Sequence, residues 1–396
     1  MGTRGGQARC NDDSDKETLM FRPSTRRLAC LLAAFTLLAG ACSDDGDDEG
    51  ASGDGEDGEE AAGGGGGGGL LAEVQECGTL RCGVNEAVPG FGLVDEAGDY
   101  TGFDIEFCKV VAAAVLGDAE AVEYTALDTE TRFTALQAGD IDVLIRNTTF
   151  TSSRDGAEGA RFLATTFFDS QGMMVRADSG YASIDDMNGT TICVLSGTTT
   201  ELNLATAAAQ AGIEYEPLTF TEADQIQDAF IAGQCQGWTS DKSQLAGIRS
   251  AWPADQGGPE ALTIFEEENY SKEPLGPAVI DGDDEWADAV NWAVISAIQA
   301  EEFGITSDNV EQMTSSDNLD VLRFLGQPIP SEEDPDAEPA PFDPGLGLEA
   351  DFAVDVISQV GNYGEIYDRT VGALDLERGV NAQWQDGGLL YAPPYR

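Results

Sequence analysis

The sequence predicts an α/β protein of two lobes with a ligand cleft between them. From about residue 70 onward, short apolar runs typical of strands alternate with segments of helical periodicity, which is the pattern of parallel sheets flanked by helices. The alternation occurs in two successive sets, joined by strand-like crossings near Gln171–Val175 and Tyr270–Leu275. Because ligands of open α/β sheets bind beyond the carboxyl ends of strands, the residues that follow strands are the candidates for function.

The individual elements follow from hydrophobic periodicity. Leu80–Val84 is a short apolar strand, and Asp104–Leu116 is a helix because its apolar residues recur on one face before Gly117 ends it. The chain segment Pro328–Pro344, rich in Pro, Asp and Glu, is predicted to be a loop. The other predicted elements are strands Ala121–Tyr124, Ile141–Ile145, Thr191–Leu195, Glu214–Leu218 and Gly237–Ser240, and helices near Arg132–Gln137, Glu201–Ala211, Glu222–Ala232, Lys242–Ile248, Trp286–Phe303 and Asp351–Gln359.

The composition excludes several classes of function. The 396 residues include 73 acidic and 20 basic ones, a formal net charge of −53, so the surface repels nucleic-acid phosphates. An apolar fraction of 41% is sufficient for real hydrophobic cores. Histidine is absent, which excludes Ser–His–Asp and Cys–His catalysis and any His-ligated metal site. We therefore predict no nucleic-acid partner, no metal and no cofactor.

The N-terminal residues are typical of an export signal. Basic residues precede the apolar segment Leu28–Leu38, which is too short to span a membrane, and small residues then lead to Cys42. This arrangement resembles the lipobox of bacterial lipoproteins, in which the cysteine thiol is lipidated, although Ala39 stands where a larger aliphatic residue is usual. We predict a signal peptide over residues 1–42 with lipidation of Cys42; simple cleavage is the alternative.

Two adjoining segments complete the N-terminal region. A start at Met20 would leave residues 1–19 untranslated. Residues 43–69 are dominated by Gly, Asp and Glu without apolar periodicity, which predicts a disordered, self-repelling tether. Such a tether would let the folded part stand off the membrane.

Five cysteines lie in the folded part, in a compartment that permits disulfides. The sequence alone does not assign their pairs. Pairing Cys82 with Cys108 and Cys193 with Cys235 keeps each bond within one lobe, and Cys77 falls outside this scheme. A metal site is the weaker alternative, because the chain has neither a CxxC pair nor histidine.

A polar loop with an arginine at each end follows the strand that ends near residue 145. It runs from Arg146 to Arg154 and is rich in Thr and Ser. An arginine in such a loop can hold a carboxylate through two parallel N–H···O bonds, with neighbouring hydroxyls completing the site. A surface arginine beside a helix cap is the alternative interpretation.

Two polar segments follow strands of the second set. Thr198 and Glu201 have capping-box spacing, and the free N–H groups of such a helix start also favour an anion. Asp241 follows the strand ending at Ser240, where it is either an ordinary N-cap or a carboxylate that pairs with an ammonium group. Together with the arginine loop, these segments supply partners for both halves of a zwitterion.

A series of short motifs runs through the chain in a fixed order: Gly78–Asn85, Gly102–Asp104, Ala135–Gln137, Arg146–Thr149, Ser196–Leu204, Ser271–Pro277, Gln359–Glu365 and Tyr391–Pro394. In this order they resemble the amino-acid-binding proteins of ABC uptake systems, most closely the general L-amino-acid-binding branch, over nearly all of residues 75–396. The resemblance implies the type II periplasmic-binding fold. Lobe one would comprise residues 70–172 and 276–396, and lobe two residues 177–270.

The resemblance also implies roles for individual residues. Arg154 would bind the α-carboxylate of the ligand, assisted by Thr149 and by the backbone at Thr198 and Thr199. Asp241 would bind the α-ammonium group. The family pattern contains the same two disulfides that were considered above.

The side-chain pocket departs from the pattern of many smaller relatives. Their aromatic walls correspond here to Ala87 and Thr129, so those walls are missing. Phe91 or Phe103 would be the substitutes. An open pocket fits broad specificity.

The resemblance implies transport. The lobes would close by a hinge around a free L-amino acid, and the permease subunits of an ABC transporter would recognise the closed form. The chain would be exported to the periplasm or the outer face of the cytoplasmic membrane, held there by its lipid anchor.

Three alternatives remain. An enzyme on this fold, such as a dehydratase, would need an acid–base pair, and a sensor's input domain would need a later transmembrane helix. A non-transport surface lipoprotein would not need the zwitterion-binding set.

Overall fold

The computed structural model describes residues 69–396 except 96, 266–268, 332–335 and 375. The strands of this part are β1 (Leu80–Val84), β2 (Ala87–Val88), β3 (Gly92–Val94), β4 (Tyr100–Thr101), β5 (Val122–Ala126), β6 (Val143–Leu144), β7 (Ala160–Phe162), β8 (Phe167–Asp169), β9 (Gln171–Arg176), β10 (Thr191–Leu195), β11 (Glu216–Phe220), β12 (Gly237–Asp241), β13 (Leu262–Ile264), β14 (Glu273–Leu275) and β15 (Ala278–Ile280). The helices are α1 (Leu70–Cys77), α2 (Phe103–Leu116), α3 (Arg132–Ala138), α4 (Ser152–Ala157), α5 (Thr199–Ala211), α6 (Ala223–Ile231), α7 (Lys242–Ser250), α8 (Asp284–Glu302), α9 (Val310–Met313), α10 (Leu319–Phe324), α11 (Phe352–Gln359) and α12 (Tyr363–Arg369).

The first sheet has the strand order β5-β1-β6-β15-β7. Its centre is parallel, because β1 pairs in parallel with β5 and β6, whereas β15 runs antiparallel to β6 and β7. The apolar residues Leu80, Cys82 and Val84 of β1 are fully buried. Helix α2 packs against β1 and also against α8 and α11, so the long apolar helices predicted from periodicity cover this sheet.

The second sheet has the strand order β11-β10-β12-β9-β13. Strand β10 pairs in parallel with β11 and β12, and β9 runs antiparallel to both β12 and β13. Helices α5, α6 and α7 pack against these strands. The predicted α/β architecture with two sheets is therefore present, and the parallel strands end where α5 and α7 begin.

The two sheets are joined by a pair of short strands. The chain leaves the first sheet through β8 and returns through β14, and these two strands pair antiparallel. The structure differs from the predicted crossing at Gln171–Val175, because β9 is a full strand of the second sheet. It pairs along both edges, and Met173, Met174 and Val175 are fully buried. The strands of the second sheet thus begin at Gln171.

Two disulfides stabilise the sheets. Cys82–Cys108 joins β1 to α2, with the Cα atoms 6.2 Å apart, and Cys193–Cys235 joins β10 to the turn before β12, with the Cα atoms 5.8 Å apart. Each bond therefore links a strand to an element packed beside it.

The N-terminal predictions concern residues that the structure does not describe. The signal peptide, the lipidation of Cys42 and the tether over residues 43–69 lie outside the described part, except for Gly69. Among the helices that are described, none is long and apolar enough to cross a bilayer.

Candidate functional site

The arginine loop is held in place by a buried carboxylate. Asn147 lies shortly after β6 with a φ of 30°, and its N–H donates to Asp104 Oδ2 at 2.6 Å. Asp104 lies in the first turn of α2, and its burial raises the pKa of its carboxyl group to about 7, although the bond from Asn147 and the charge of Arg146 favour ionisation.

Arg154 occupies the first turn of α4. The hydroxyl of Thr151 caps this helix by accepting the N–H of Arg154 at 3.3 Å. The Arg154 Nη1 donates to the carbonyl oxygen of Thr149 at 2.9 Å, which fixes the guanidinium group beside that residue. The predicted loop therefore brings Thr149 and Arg154 together.

The start of α5 serves as a cap and also contacts the loop opposite. Thr198 accepts the N–H of Glu201 at 3.1 Å, and the Glu201 carboxylate accepts the N–H of Gly197 at 3.1 Å. The hydroxyl of Thr199 lies 3.4 Å from that of Thr149, so the arginine loop and the start of α5 meet. Thr198 therefore caps α5, and the start of this helix also faces the cavity.

Asp241 is at the N-cap position of α7, yet its side chain makes no capping hydrogen bond. It is buried and accepts a hydrogen bond from the side chain of Asn147. Burial raises the pKa of its carboxyl group well above the usual value, and the nearby carboxylates of Asp169 and Glu273 raise it further. A cationic ligand group beside Asp241 would offset the cost of burying a charged carboxylate there and would so favour its ionised form.

These elements line one polar cavity of about 30 Å³. The five residues predicted to bind ligand all line it: Thr149, Arg154, Thr198, Thr199 and Asp241. Nine further residues complete its walls: Asn85, Thr129, Arg132, Arg146, Asn147, Leu195, Thr200, Ser240 and Gln244. In a chain without histidine, the cavity is suited to hydrogen bonding and ion pairing with a small charged molecule.

Sequence reasoning assigned no role to Arg132 and left Arg146 undecided. Arg146 belongs to the loop that the sequence singled out, whereas Arg132 opens α3 and looked like an ordinary helix residue. Both guanidinium groups are buried, and burial lowers their pKa values. The sequence offered one indication that Arg132 has a function: it follows β5, and residues that follow strands are the candidates for ligand binding.

Phe91 and Phe103, which were expected to replace the missing aromatic walls of the side-chain pocket, do not lie at the cavity. Phe91 and Phe103 are buried in the core, where their ring centroids lie 5.9 Å apart and each contacts Phe167. Neither lines the cavity, because the apolar core beneath α2 takes both rings. Thr129, by contrast, does line the cavity.

Comparison with known proteins identifies the family. Residues 80–308 match the model of the bacterial extracellular solute-binding proteins, family 3. This chain belongs to that family. Solute-binding proteins of family 3 are binding components, and its curated relatives are named as such rather than as enzymes.

Individual relatives extend the similarity over most of this solute-binding protein. The General L-amino acid-binding periplasmic protein AapJ of Rhizobium johnstonii is 45% identical, over 82% of this chain and 92% of its own length. The Glutamate/glutamine/aspartate/asparagine-binding protein BztA of Rhodobacter capsulatus is 43% identical, over 82% of this chain and 93% of its own.

A solved structure supports the fold of this solute-binding protein. An ABC transporter periplasmic binding protein from Brucella ovis with glutathione bound is 41% identical, with a TM-score of 0.76, and covers 83% of this chain and all of that one. The type II periplasmic-binding fold that the sequence predicted is thereby confirmed.

Proposed function

We propose that this protein captures L-amino acids outside the cytoplasmic membrane and delivers them to the permease of an amino-acid ABC transporter. The observation that carries the proposal is the meeting of Arg154, the start of α5 and Asp241 in one cavity. These groups match the carboxylate and ammonium groups that every free α-amino acid carries. The names of the relatives AapJ and BztA support the same class of ligand.

The α-carboxylate would be bound by Arg154. Its Nη1 already donates to the Thr149 carbonyl, which leaves the other N–H groups of the guanidinium for a ligand. The Thr149 hydroxyl and the backbone at Thr198 and Thr199 would add donors around the carboxylate, and the helix dipole of α5 favours an anion there.

The α-ammonium group would be bound by Asp241. Its carboxylate is buried without a capping role, and a bound ammonium would supply the positive charge that its ionised form needs. Arg154 and Asp241 would then hold the two ends of the zwitterion in a fixed orientation.

Hinge closure would couple binding to transport. Three contacts between the two sides of the cavity are long: Thr149–Thr199, Asn147–Gln244 and Arg132–Gly197 each span 3.4 Å. Such contacts are weak and would separate at little cost when the lobes open. A bound ligand that contacts both sides would shift the population toward the closed form, which the permease subunits recognise.

The mature protein would be held at the outer face of the membrane through a lipid on Cys42. The basic, apolar and small-residue segments that precede Cys42 support this proposal. Mass spectrometry of the mature N-terminus tests it: a diacylglycerol adduct on Cys42 is expected. A mature N-terminus that starts elsewhere, or an unmodified Cys42, would contradict it.

A thermal-shift screen over the common L-amino acids tests the proposed function. Ligands that bind only the folded state raise its melting temperature, by an amount that grows with concentration above Kd. We expect shifts with L-amino acids and none with analogues that lack the α-carboxylate or the α-amino group. If no amino acid shifts the transition, the proposal fails and the surface-lipoprotein alternative is favoured. Turnover of a bound amino acid would favour the enzyme alternative instead.

A further inference from the structure

Asp241 does not cap the helix that it precedes, although its residue type and position favour capping. It is the last residue of β12 and the N-cap residue of α7, where an aspartate ordinarily accepts the N–H of the second or third helical residue. Its backbone angles, φ −55° and ψ 137°, lie close to the extended region that N-cap residues adopt. The carboxylate nevertheless lines the cavity and accepts a hydrogen bond from the side chain of Asn147.

The first N–H groups of α7 bind instead to the segment that leads into β9. The Lys242 N–H donates to the carbonyl oxygen of Ser170 at 2.8 Å, and the Ser243 N–H donates to Asp169 Oδ2 at 3.3 Å. The Ser243 hydroxyl donates to the same carboxylate oxygen. Because Ser243 is the second residue of α7, Asp169 accepts the hydrogen bond that an N-cap side chain usually takes.

The strand register explains why Asp169 lies beside the start of α7. Strands β9 and β12 are antiparallel, with Asp241 opposite Gln171. Continued by two residues along both strands, the same register places Asp169 opposite Ser243. Asp169 is also the last residue of β8, one of the two strands that join the sheets. The cap of α7 is therefore supplied by a joining strand rather than by the helix's own N-cap residue.

We propose that Asp169 is a positioning residue, which caps α7 in place of Asp241 and thereby leaves the Asp241 carboxylate to face the cavity and bind the α-ammonium group. The binding of the ammonium group rests on the proposed function, whereas the exchange of caps does not. Asp169 supplies a charge as well as an acceptor, and its charge raises the pKa of Asp241 in the empty cavity. A bound ammonium group would be attracted by both carboxylates.

The competing assignment is that Asp169 only stabilises the joining strands. The two assignments predict different behaviour of Asp241. If Asp169 is the substitute cap, removal of its carboxylate leaves the first N–H groups of α7 without an acceptor, and the Asp241 side chain should turn to them. Amino-acid binding should then weaken in a protein that is still folded. If Asp169 is only structural, the stability changes and Asp241 keeps its place.

Calorimetric titration of the wild type, Asp169→Ala and Asp169→Asn with L-glutamine and L-alanine tests the effect on binding. We expect Asp169→Ala to weaken both ligands by about tenfold or more and by similar factors, because the hydrogen bonds to the ammonium group are common to all amino acids. Asp169→Asn retains an acceptor for the Ser243 N–H and should restore most of the loss. Asp186→Ala is the matched control, since Asp186 belongs to the capping box of the short helix Ile184–Met187 and does not line the cavity. Its affinities should equal those of the wild type.

A crystal structure of ligand-free Asp169→Ala tests the exchange of caps directly. We expect the Asp241 carboxylate within hydrogen-bonding distance of the N–H of Ser243 or Gln244. An Asp241 side chain that keeps its place at the cavity, or affinities unchanged in Asp169→Ala, would overturn the inference. A wild type that binds no amino acid would contradict the proposed function itself, and the crystal structure would still decide the role of Asp169.

The pH dependence of binding gives a readout that a purely structural role would not change. Besides Asp169, the charged groups that interact with Asp241 are Glu273, Arg154 and Arg132, and all three are retained in Asp169→Asn. Because the charge of Asp169 raises the pKa of Asp241, its removal lowers that pKa, and Asp241 takes up its proton at a lower pH. We therefore expect the ratio of variant to wild-type affinity to increase as the pH falls from about 8 to about 5. A ratio that does not change with pH would contradict the inference, and this ratio decides if Asp169→Ala does not fold.

Discussion

Asn147 connects several polar groups around the cavity. Its backbone has a φ of 30°, in the left-handed region that asparagine tolerates better than most residues. Its N–H binds Asp104, its side-chain oxygen accepts from Asn85 at 3.1 Å, and its side-chain nitrogen lies 3.4 Å from Gln244 Oε1. The unusual backbone conformation thus turns one short side chain toward both sides of the cleft.

The raised pKa of Asp104 predicts a pH-dependent contribution to stability. The pKa is about 7 in the folded state, against 3.8 for the unfolded reference, so the folded protein binds an extra proton between these values. Its contribution to the free energy of unfolding therefore increases as the pH falls from about 7 toward about 4 and is lost as the pH rises through 7. Asp104→Asn, which can still accept the Asn147 N–H, removes this contribution.

Urea denaturation of the wild type and Asp104→Asn at several pH values measures the effect. We expect the wild type to gain stability relative to the variant as the pH falls from about 8 to 5, in the direction set by proton uptake on folding. A difference between the two proteins that does not change with pH would mean that Asp104 does not titrate in this window.

Sequence reasoning at this scale succeeded where the signal was local. Thr198 could be predicted as a cap because Glu201 lies three residues later, and the structure shows that bond. The position of Asp241 also looked like a cap, but its side chain turns to partners that are distant in sequence. Arg132 was missed for the same reason, since its neighbour Gly197 is 65 residues away.

At the scale of elements, buried strands and long helices were predictable. β1 and β10 have the predicted bounds, because each is a short, mostly apolar run that pairs with a strand on either side. The small sheet β2-β3-β4 was missed, since two- and three-residue strands give no measurable period. β9 was mistaken for a crossing, because its pairing with β12 and β13 depends on partners far along the chain.

The disulfides Cys82–Cys108 and Cys193–Cys235 are expected to contribute unequally to stability. They close loops with sequence separations of 26 and 42 residues. In the chain-entropy model, the cross-link between Cys82 and Cys108 contributes about 3.5 kcal/mol and that between Cys193 and Cys235 about 4 kcal/mol to the free energy of unfolding. Replacing each pair by alanines and measuring denaturant unfolding tests this. A loss below about 1 kcal/mol for either pair would contradict the loop argument.

At the scale of the whole molecule, the strands that join the sheets are linked to the binding site. Asp169 of β8 and Glu273 of β14 lie opposite each other in this strand pair. Asp169 accepts the N–H of Ser243 in α7 at 3.3 Å, and Glu273 accepts from Thr199 and Asn203 of α5 at 2.8 Å each. Each joining strand is therefore attached to a helix whose start lies beside the cavity, which under the proposed function would couple ligand binding to movement at the joining strands.

The acidic surface predicts that salt stabilises the fold. With a formal net charge of −53, like charges repel one another across the surface, and added salt shortens the range of that repulsion from about 10 Å at 0.1 M to about 3 Å at 1 M. The melting temperature should rise with NaCl concentration across this range, and sucrose at matched osmolality serves as the uncharged control. A melting temperature that does not rise with salt would contradict this prediction.

The most direct test of the central claim is calorimetric titration of Arg154→Ala beside the wild type. The exposed Arg161 supplies the control variant, Arg161→Ala. If Arg154 holds the α-carboxylate, its removal leaves a buried carboxylate without its charged partner, and every amino acid that the wild type binds should lose roughly 2–5 kcal/mol of binding free energy. Affinities unchanged from the wild type in Arg154→Ala would contradict the assignment of this cavity as the amino-acid site.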